Sequence, residues 1–490
     1  MKKLQSIQAR TGTPLGAPLC ASTPEQVDAC ASAADVAFAG WSSSDGATRA
    51  TLLRGLAGAL ESDREGLVAL ADEETGLGPA RLNGELDRTA FQLRRFADIA
   101  ERGAAFEFVD DPLVAGGPPA GHPAMVRQRV PLGPVAMFSA SNFPFAFSVL
   151  GGDTASALAA GCPVVVKAHS GHLLLSSRVI GLARQVLQDQ GLPAGLVGMI
   201  QGGGADVGVR LVRHPAIAAG AFTGSTRGGA ALQAEASARP RPIPFYGELG
   251  STNPVVALPA LLATKGAELA TLLAGSISLG CGQFCTSPGL IVLIDSPQSD
   301  AFVDQLATAL AAQNPHAMLT PGMRQAFDAG VEHFVGAGAA PLLHEAGTPE
   351  APRPFLAQVQ AAQFIASAAL REEVFGPSSL IVRAHSVDEV LQVLQAVGGS
   401  LTVTLWGAEE ESEDTRALVR GAMNIAGRVL FAGVPTGVAV TAAQQHGGPW
   451  PSSTQPMTTS VGDAAMDRFL RPVALQDAPA WLLARKGQPC

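Results

Sequence analysis

The sequence predicts an α/β protein with two doubly wound parallel-sheet domains. The chain has 490 residues, which is too long for one ordinary hydrophobic core. From Pro134 onward, short apolar runs alternate with helical stretches at a spacing of about 30 residues, as in parallel sheets. The chain also contains 55 glycines, which suit many tight strand–helix turns. Apolar residues make up 47% of the chain and charged residues 15%, so disorder is excluded.

The first hundred residues are predicted to be largely helical. Thr23 is a helix N-cap, with Pro24 at the first helical position and Gln26 completing a capping box. A second helical region is expected from about Thr48 to Glu74, and a third follows it. Glycines and prolines crowd residues 110–122, which indicates a loop or boundary.

The central part of the chain alternates between predicted strands and helices. The expected strands are Val135–Phe138, Val164–Val166, Val197–Ile200 and Ala218–Phe222, separated by helices Ala146–Ala160, Leu173–Gln190 and Val207–Val212. Parallel sheets of this kind bind ligands beyond the carboxyl ends of their strands. A second unit is expected from Asn253 to about Phe431, with strands near Leu290–Ile294 and Leu380–Val382. Loops and an edge strand are expected in the Gly-, Pro-, Ser- and Thr-rich tail from Val434 to Cys490.

The composition limits the kinds of binding partner and the cellular compartment that we expect. The net charge is −9 and the isoelectric point is near 5.5, without the clustered cations of a nucleic-acid-binding surface. No apolar run reaches the roughly 18 residues that a spanning helix needs, and the N-terminus lacks an apolar signal core. The six cysteines are too sparse for a disulfide framework or a paired metal site. We therefore expect a cytoplasmic protein without nucleic-acid, membrane or metal partners.

The glycine-rich segment 202–208 follows a predicted strand, as a dinucleotide-binding turn would. Ala205 and Val207 break the two possible frames of the usual dinucleotide fingerprint. A simple turn that begins a helix remains an equally good interpretation of this segment.

Four segments point together to a family. They are Ser139-Ala140-Ser141-Asn142-Phe143-Pro144, Phe245-Tyr246-Gly247-Glu248-Leu249-Gly250, Gly282-Gln283-Phe284-Cys285-Thr286 and Glu373-Val374-Phe375-Gly376-Pro377. In their order and spacing the chain resembles the aldehyde dehydrogenase superfamily over nearly its whole length. The resemblance implies an aldehyde dehydrogenase-like fold with a Rossmann-like NAD(P)-binding domain at 1–246 and a catalytic domain at 247–433. A loop and oligomerisation segment is expected at 434–490, with residues 111–130 joining it in a small β element of a homodimer or homotetramer.

Cys285 is the predicted nucleophile. A lone cysteine is more often a buried small hydrophobic residue, but aldehyde oxidation needs a nucleophile whose adduct can expel hydride. A thiolate meets this need, and its thioester still hydrolyses. By resemblance, Cys285 has this role. Cys281 would share a helix face with Cys285, and we expect it to serve packing rather than as a resolving thiol.

Glu248 is the predicted general base, and Asn142 the predicted oxyanion donor. The neighbours of Glu248 are apolar or small, so burial would raise the pKa of its carboxyl toward neutrality. The resemblance assigns to it the deprotonation of Cys285 and of the hydrolytic water, and argues against acyl transfer to coenzyme A. The same resemblance pairs the amide of Asn142 with the backbone N–H of Cys285, although an Asn before Phe-Pro can also cap a turn.

The resemblance implies NADP or NAD as cofactor. The matching residues lie after predicted strands or in the fourth motif, and are Lys167, Ser170, Gly224, Ser225, Glu373 and Phe375. Ser225 could meet a pyrophosphate at a helix N-terminus. The alternative interpretations are that Lys167 is a surface lysine and that Ser170 and Ser225 are helix N-caps. Glu373 and Phe375 could likewise belong to a charged loop before a Gly-Pro turn. NADP-preferring relatives tend to carry an arginine where this chain has Gly203-Gly204-Ala205, so the preference for a 2′-phosphate stays open.

Further segments resemble one branch of the superfamily. They are Arg81–Thr89, Gly151–Leu158, Lys167-Ala168-His169 and His446-Gly447-Gly448-Pro449. The branch holds 2,5-dioxopentanoate (α-ketoglutaric semialdehyde) dehydrogenases and NADP-linked fatty aldehyde dehydrogenases. We therefore expect oxidation of 2,5-dioxopentanoate to 2-oxoglutarate. The alternatives are oxidation of medium- or long-chain aliphatic aldehydes and a non-catalytic protein on this fold.

A substrate carboxylate in a closed site needs a cation or several donors. Arg88 and Arg94 lie in the helical region that matches this branch near the substrate entrance. An ion pair between Glu85 and Arg88 on the helix surface is an equally weighted alternative for Arg88. The loop Gly447–Thr459 offers a third possibility, through its backbone N–H groups and the hydroxyls of Ser452, Ser453 and Thr454.

Overall fold

The computed structural model describes residues 2–348 and 350–485; Cys490, one of the six cysteines counted above, lies outside them. The N-terminal part contains strands β1 (Lys3–Ile7) and β2 (Pro14–Cys20), helices α1 (Pro24–Trp41), α2 (Gly46–Ser62), α3 (Arg64–Thr75) and α4 (Pro79–Glu101), and strands β3 (Val109–Asp111) and β4 (Met125–Pro131). The predicted capping box at α1 is confirmed, with Thr23 and Gln26 exchanging both hydrogen bonds.

Two features of this part differ from the sequence prediction. The helical region expected from about Thr48 to Glu74 consists of two helices, because the chain leaves helical geometry at Asp63 (φ −104°, ψ 17°). The antiparallel pair β1–β2 was not predicted. Two prolines and a glycine in β2 hide its strand character, since these residues are depleted from strands.

The first sheet has five parallel strands in the order β7-β6-β5-β8-β9. Its elements are β5 (Val135–Phe138), α5 (Gly152–Ala160), β6 (Val164–Lys167), α6 (Leu173–Asp189), β7 (Val197–Ile200), α7 (Asp206–Arg213), β8 (Ala219–Thr223), α8 (Thr226–Ser237) and β9 (Phe245–Glu248). Helix α5 starts at Gly152 rather than at Ala146. The backbone N–H groups of Phe145 and Ala146 are bound by Glu85 instead, which holds residues 143–151 as turns.

The second sheet has seven strands in the order β12-β13-β14-β11-β10-β15-β16, with β12 as its antiparallel edge. Its elements are β10 (Val255–Ala257), α9 (Pro259–Ser278), β11 (Leu290–Ile294), α10 (Pro297–Ala311), α11 (Pro321–Gly336), β12 (Ala340–His344), β13 (Phe355–Gln360), α12 (Ala361–Ala366), β14 (Ser378–Ala384), α13 (Val387–Val397), β15 (Ser400–Trp406), α14 (Glu413–Ile425) and β16 (Ala426–Leu430). Both sheets have apolar residues on both faces, as sheets covered by helices require.

The tail forms loops, the strand β17 (Leu470–Gln476) and the short helix α15 (Ala480–Leu483). Strand β17 pairs along its length with β4, and β4 pairs with β3, so a third, antiparallel sheet has the order β17-β4-β3. The predicted edge strand in the tail is therefore present, and it pairs with the region 111–130 that the sequence linked to it.

One helical stretch within the described residues, Pro259–Gly282, is long and apolar enough by length and composition to cross a membrane. It is not an uninterrupted apolar run of the kind sought in the sequence, because Thr264, Lys265 and Glu268 lie within it. One face of the helix, including Leu273 and Ile277, is buried in the core beside the second sheet. Core helices pass the same length and composition test.

Candidate active site

The parallel strands of the first sheet bring four of the predicted site segments to one edge. Asn142 follows β5, Lys167 ends β6, Gly224 follows β8 and Glu248 ends β9. The chain then crosses in residues 249–254 to β10 of the second sheet. Ligand sites of doubly wound sheets lie at this carboxyl edge, and the cavities described below open there.

Cys285 lies in a turn after α9, not on a helix. A short 3₁₀ segment, Leu279–Gly282, intervenes, in which Gly280 and Cys281 adopt left-handed backbone angles (φ 57° and 59°). The expectation that Cys281 shares a helix face with Cys285 is therefore wrong. Cys281 is fully buried, and this burial raises the pKa of its thiol to about 12, so it serves packing.

Cys285 forms a cluster with Glu248 and His446. The His446 Nε2 atom lies 3.6 Å from Cys285 Sγ and 2.8 Å from Glu248 Oε1. The second contact is an ion-pair distance, although Glu248 Oε1 has no well-directed hydrogen bond. Ser460 donates a hydrogen bond of 2.5 Å to Glu248 Oε2. Glu248 and His446 are both almost fully buried, so each polar group compensates the other in a site closed to bulk water.

The electrostatics of this cluster correct one sequence expectation. Burial alone pushes the pKa of Glu248 upward, as predicted. The electrostatic interaction with His446 and the hydrogen bonds at the carboxylate outweigh it and hold the pKa of Glu248 below its usual value. Burial and the adjacent Glu248 carboxylate raise the pKa of the Cys285 thiol well above its ordinary value. The resting pair is therefore a thiol beside a carboxylate that can accept its proton.

The atoms of Glu248, Cys285 and His446 that face one another lie within 4.8 Å, a spacing that a metal ion could also bridge. The polar contact between Glu248 and His446 already compensates the burial of both groups without an ion. No metal ion is needed to explain the arrangement of these three residues.

Asn142 lies beside the Cys285 loop. Its Nδ2 atom donates one hydrogen bond of 2.9 Å to the backbone oxygen of Gln283, and its own backbone oxygen accepts one from Arg81. A side-chain amide has two N–H donors, so the second one stays available at the cavity that Asn142 and Cys285 both line. The alternative role of Asn142 as a local turn cap does not describe these contacts.

Asn253 fixes the Cys285 loop from the other side, and the sequence prediction did not single it out. It is fully buried with a left-handed backbone (φ 48°), and its Nδ2 atom donates to the backbone oxygens of Cys285 and Ser287 at 2.9 Å each. Its Oδ1 atom accepts hydrogen bonds from Ser251 and Thr402. The crossover between the sheets therefore also positions the predicted nucleophile.

A first cavity of about 270 Å³ lies on one side of Cys285. It is lined by the three predicted catalytic residues and by Gly224, Ser225, Glu373 and Phe375, together with Thr223, Gly250 and others. The hydroxyl of Thr223 has no hydrogen-bond partner among the described residues. Solvent reaches Glu373 from the cavity, but protein surrounds it otherwise, and this enclosure raises the pKa of its carboxyl to about 7. The free hydroxyl, the glycines and the carboxyl fit a nucleotide with ribose hydroxyls.

Lys167 and Ser170, the other two predicted cofactor residues, are not among the residues that line this cavity. Lys167 is half-buried, and burial lowers the pKa of its ammonium group. Ser170 is exposed at the start of a short 3₁₀ turn whose cap is His169, so it is not itself an N-cap. Ser225 does cap α8, accepting a hydrogen bond from Gly228. Arg210 is paired with Asp28 on the surface.

A second cavity of about 200 Å³ opens on the other side of Cys285. Cys285, Thr286 and His446 line it, together with the arginines Arg81 and Arg88. Three phenylalanines also belong to the lining: Phe143, Phe147 and Phe284. Arg94 does not reach this cavity; it forms an exposed ion pair with Glu61, which corrects the expectation that it lies near the substrate entrance. The hydroxyls of Ser452, Ser453 and Thr454 are engaged by the backbone around them.

Comparisons with known proteins agree with this geometry. A model described as the aldehyde dehydrogenase family matches residues 2–454. The chain is 44% identical to "Alpha-ketoglutaric semialdehyde dehydrogenase 2" of Azospirillum brasilense and 38% identical to "Alpha-ketoglutaric semialdehyde dehydrogenase" of Acinetobacter baylyi, in each case over 98% of this chain and 92% of the relative. A solved structure of a putative aldehyde dehydrogenase from Burkholderia cenocepacia has the same fold, with a TM-score of 0.80 and 24% identity over 98% of this chain and 95% of that one.

Proposed function

This chain belongs to the aldehyde dehydrogenase family, and we propose that it oxidises 2,5-dioxopentanoate to 2-oxoglutarate with Cys285 as nucleophile and Glu248 as base. The observation that carries the proposal is the Cys285–His446–Glu248 cluster between two cavities. The names of the two relatives at 44% and 38% identity support this substrate. A carboxylate that faces a buried thiol also favours hydrolysis over transfer of the acyl group to a second thiol.

In the first step, the Cys285 sulfur forms a bond to the aldehyde carbon while its proton moves to the Glu248–His446 pair. Glu248 is the acceptor because its carboxyl group is ionised. The His446 Nε2 atom lies 2.8 Å from Glu248 Oε1 and holds the carboxylate in position. The aldehyde oxygen becomes an oxyanion. The second N–H of Asn142 and the backbone N–H of Cys285 stabilise this charge, because donors fixed before the reaction need no reorganisation.

The family uses NAD or NADP, which would supply the acceptor for the hydride of the aldehyde carbon. Gly224, Ser225, Glu373 and Phe375 would hold it in the first cavity, and we propose that Lys167 and Ser170 also contact it. Cys285 then carries a thioester. Glu248 releases the first proton to solvent and then takes a proton from the attacking water. The carbon–sulfur bond breaks, Glu248 returns this proton to the Cys285 sulfur, and the acid leaves.

A second candidate activity is the oxidation of longer aliphatic aldehydes. The observation in its favour is the apolar wall of Phe143, Phe147 and Phe284 in the second cavity. The same cavity contains Arg88, which an aliphatic chain would leave without an anionic partner. This contrast favours the carboxylated aldehyde.

We also propose that the protein is a cytoplasmic homodimer or homotetramer that associates through the third sheet. Exposed apolar side chains support this interface. Leu113 is 66% exposed, and Val109 and Val114 are nearly half exposed, beside a sheet of only three strands.

Replacing Cys285 with alanine should abolish aldehyde oxidation, because the covalent path is lost. Steady-state formation of NAD(P)H measures the activity, and NADH fluorescence titration should show that the cofactor still binds. The matched control is Cys281→Ala, which should keep most of the activity. Loss of activity in Cys281→Ala with activity retained in Cys285→Ala would refute the assignment.

Glu248→Gln should slow hydrolysis of the thioester more than its formation, because the amide accepts no proton from water. Stopped-flow absorbance should show a burst of about one NAD(P)H per site followed by a stall. Glu268→Gln changes an exposed glutamate on α9 and should behave like the parent. Unbroken steady turnover in Glu248→Gln would contradict its role as base.

Asn142→Ala should lower kcat by roughly 10²–10³-fold, the usual loss for one oxyanion donor. Initial rates over a range of aldehyde concentrations separate kcat from KM, and the melting temperature reports whether the tie to Gln283 matters for folding. A change confined to KM would make Asn142 a ground-state contact instead.

The substrate proposal predicts that 2,5-dioxopentanoate has a higher kcat/KM than pentanal, a neutral aldehyde of the same length. An advantage of about tenfold corresponds to about 1.4 kcal/mol, a modest value for one charged contact. The assay is NAD(P)H formation over an aldehyde panel with both cofactors. Higher kcat/KM for hexanal and longer aldehydes would instead establish the aliphatic activity.

A further inference from the structure

The Arg88 side chain presents an unsatisfied cation to the second cavity. Its Nη1 atom donates to the backbone oxygen of Val438. Its Nε and Nη2 atoms are buried without a hydrogen-bond partner among the described residues. Buried guanidinium donors without acceptors are costly, and these two form the pair that binds a planar carboxylate in a bidentate manner. The geometry therefore suits an anionic ligand with two oxygens.

No neighbouring acid supplies those oxygens. The Glu85 carboxylate, one turn earlier on α4, accepts the backbone N–H groups of Phe145 and Ala146 at 2.8 and 3.0 Å. Its other oxygen lies 4.0 Å from Arg81. The alternative ion pair between Glu85 and Arg88 is therefore absent from the described part of the chain, and Arg88 keeps its charge for a ligand.

The surroundings of Arg88 limit the shape of that ligand. Phe143, Phe147 and Phe284 form the apolar walls of the cavity, which suit a short chain of methylene groups. Cys285 and His446 line the same cavity, so a molecule bound at Arg88 can reach the nucleophile. The volume of about 200 Å³ fits a ligand of few carbons.

The orientation of Arg88 is fixed before a ligand arrives. Val438 belongs to a loop that Arg428 holds by donating hydrogen bonds to the backbone oxygens of Pro435 and Gly437. Val438 in turn accepts from Arg88. Because the loop and the guanidinium are tied together, little conformational freedom is lost when the ligand binds.

We propose that Arg88 determines substrate specificity by binding the distal carboxylate of a short, unbranched aldehyde through Nε and Nη2 while the aldehyde carbon lies at Cys285. This inference rests on the proposed function, which it deepens by naming the residue that selects carboxylated aldehydes. Covalent chemistry is unchanged, since Arg88 makes contact only with the end of the substrate that does not react.

The test compares Arg88→Met and Arg88→Lys with the parent enzyme on 2,5-dioxopentanoate and on pentanal. In Arg88→Met, kcat/KM for 2,5-dioxopentanoate should fall by about 10²-fold, mainly through KM, as expected when one partner of a buried charge pair is removed. The loss for pentanal should be at least tenfold smaller. The kcat/KM of Arg88→Lys for 2,5-dioxopentanoate should lie between the values for Arg88→Met and the parent. Lysine keeps the positive charge but cannot bind a carboxylate in a bidentate manner. Arg94→Met, on the same helix but paired with Glu61 at the surface, is the control and should match the parent.

A second measurement separates this inference from the substrate proposal. The dicarboxylate 2-oxoglutarate should inhibit pentanal oxidation by the parent enzyme competitively, and Arg88→Met should weaken that inhibition about tenfold or more. Equal losses on both aldehydes, or unchanged inhibition, would overturn the role of Arg88. Poor oxidation of 2,5-dioxopentanoate by the parent, with inhibition that still depends on Arg88, would refute the proposed substrate and leave the carboxylate site standing.

Discussion

The buried contact between Glu248 and His446 is the interaction on which the candidate site depends. Glu248 ends a strand of the first sheet, whereas His446 belongs to the C-terminal segment. Two polar groups buried together are tolerated because each compensates the other. Backbone hydrogen bonds from Leu249 to Ser452 and from Thr454 to Gly247 hold the C-terminal segment against β9. The tail is therefore part of the site as well as of the third sheet.

The short connection between β9 and β10 explains how residues of both sheets form one site. Between β9 and β10, residues 249–254 carry the chain from the carboxyl edge of the first sheet to the amino edge of the second. The Cys285 loop leads into β11 at that same edge, so Glu248 and this loop lie close together. Asn253 in this crossover binds the backbone of that loop, and its left-handed conformation lets its side chain reach both Cys285 and Ser287. The thiol, the base and the two cavities are thus fixed by one short connection.

Local patterns predicted much of the fold and of the site. The strand Val135–Phe138 and the start of α1 follow from an apolar run and a capping box, which are signals contained within a few residues. The placement of Asn142 and Glu248 beside Cys285 followed from motif resemblance. His446 had been noted only within a His-Gly-Gly-Pro segment, because its partner Glu248 is far away in sequence. The direction of the pKa shift of Glu248 was not predicted correctly for the same reason. The neighbouring residues in the sequence indicate burial, but they do not reveal the contact with His446.

The central claim is that Cys285 carries the acyl group that the Glu248–His446 pair later releases. The most direct measurement is peptide mapping by mass spectrometry of the Glu248→Gln variant after reaction with 2,5-dioxopentanoate and NAD. The account predicts one acyl group per chain, bound to Cys285 and removable by hydroxylamine, which cleaves thioesters. An acyl group on Cys281, or a variant that turns over while no peptide carries an acyl group, would contradict it.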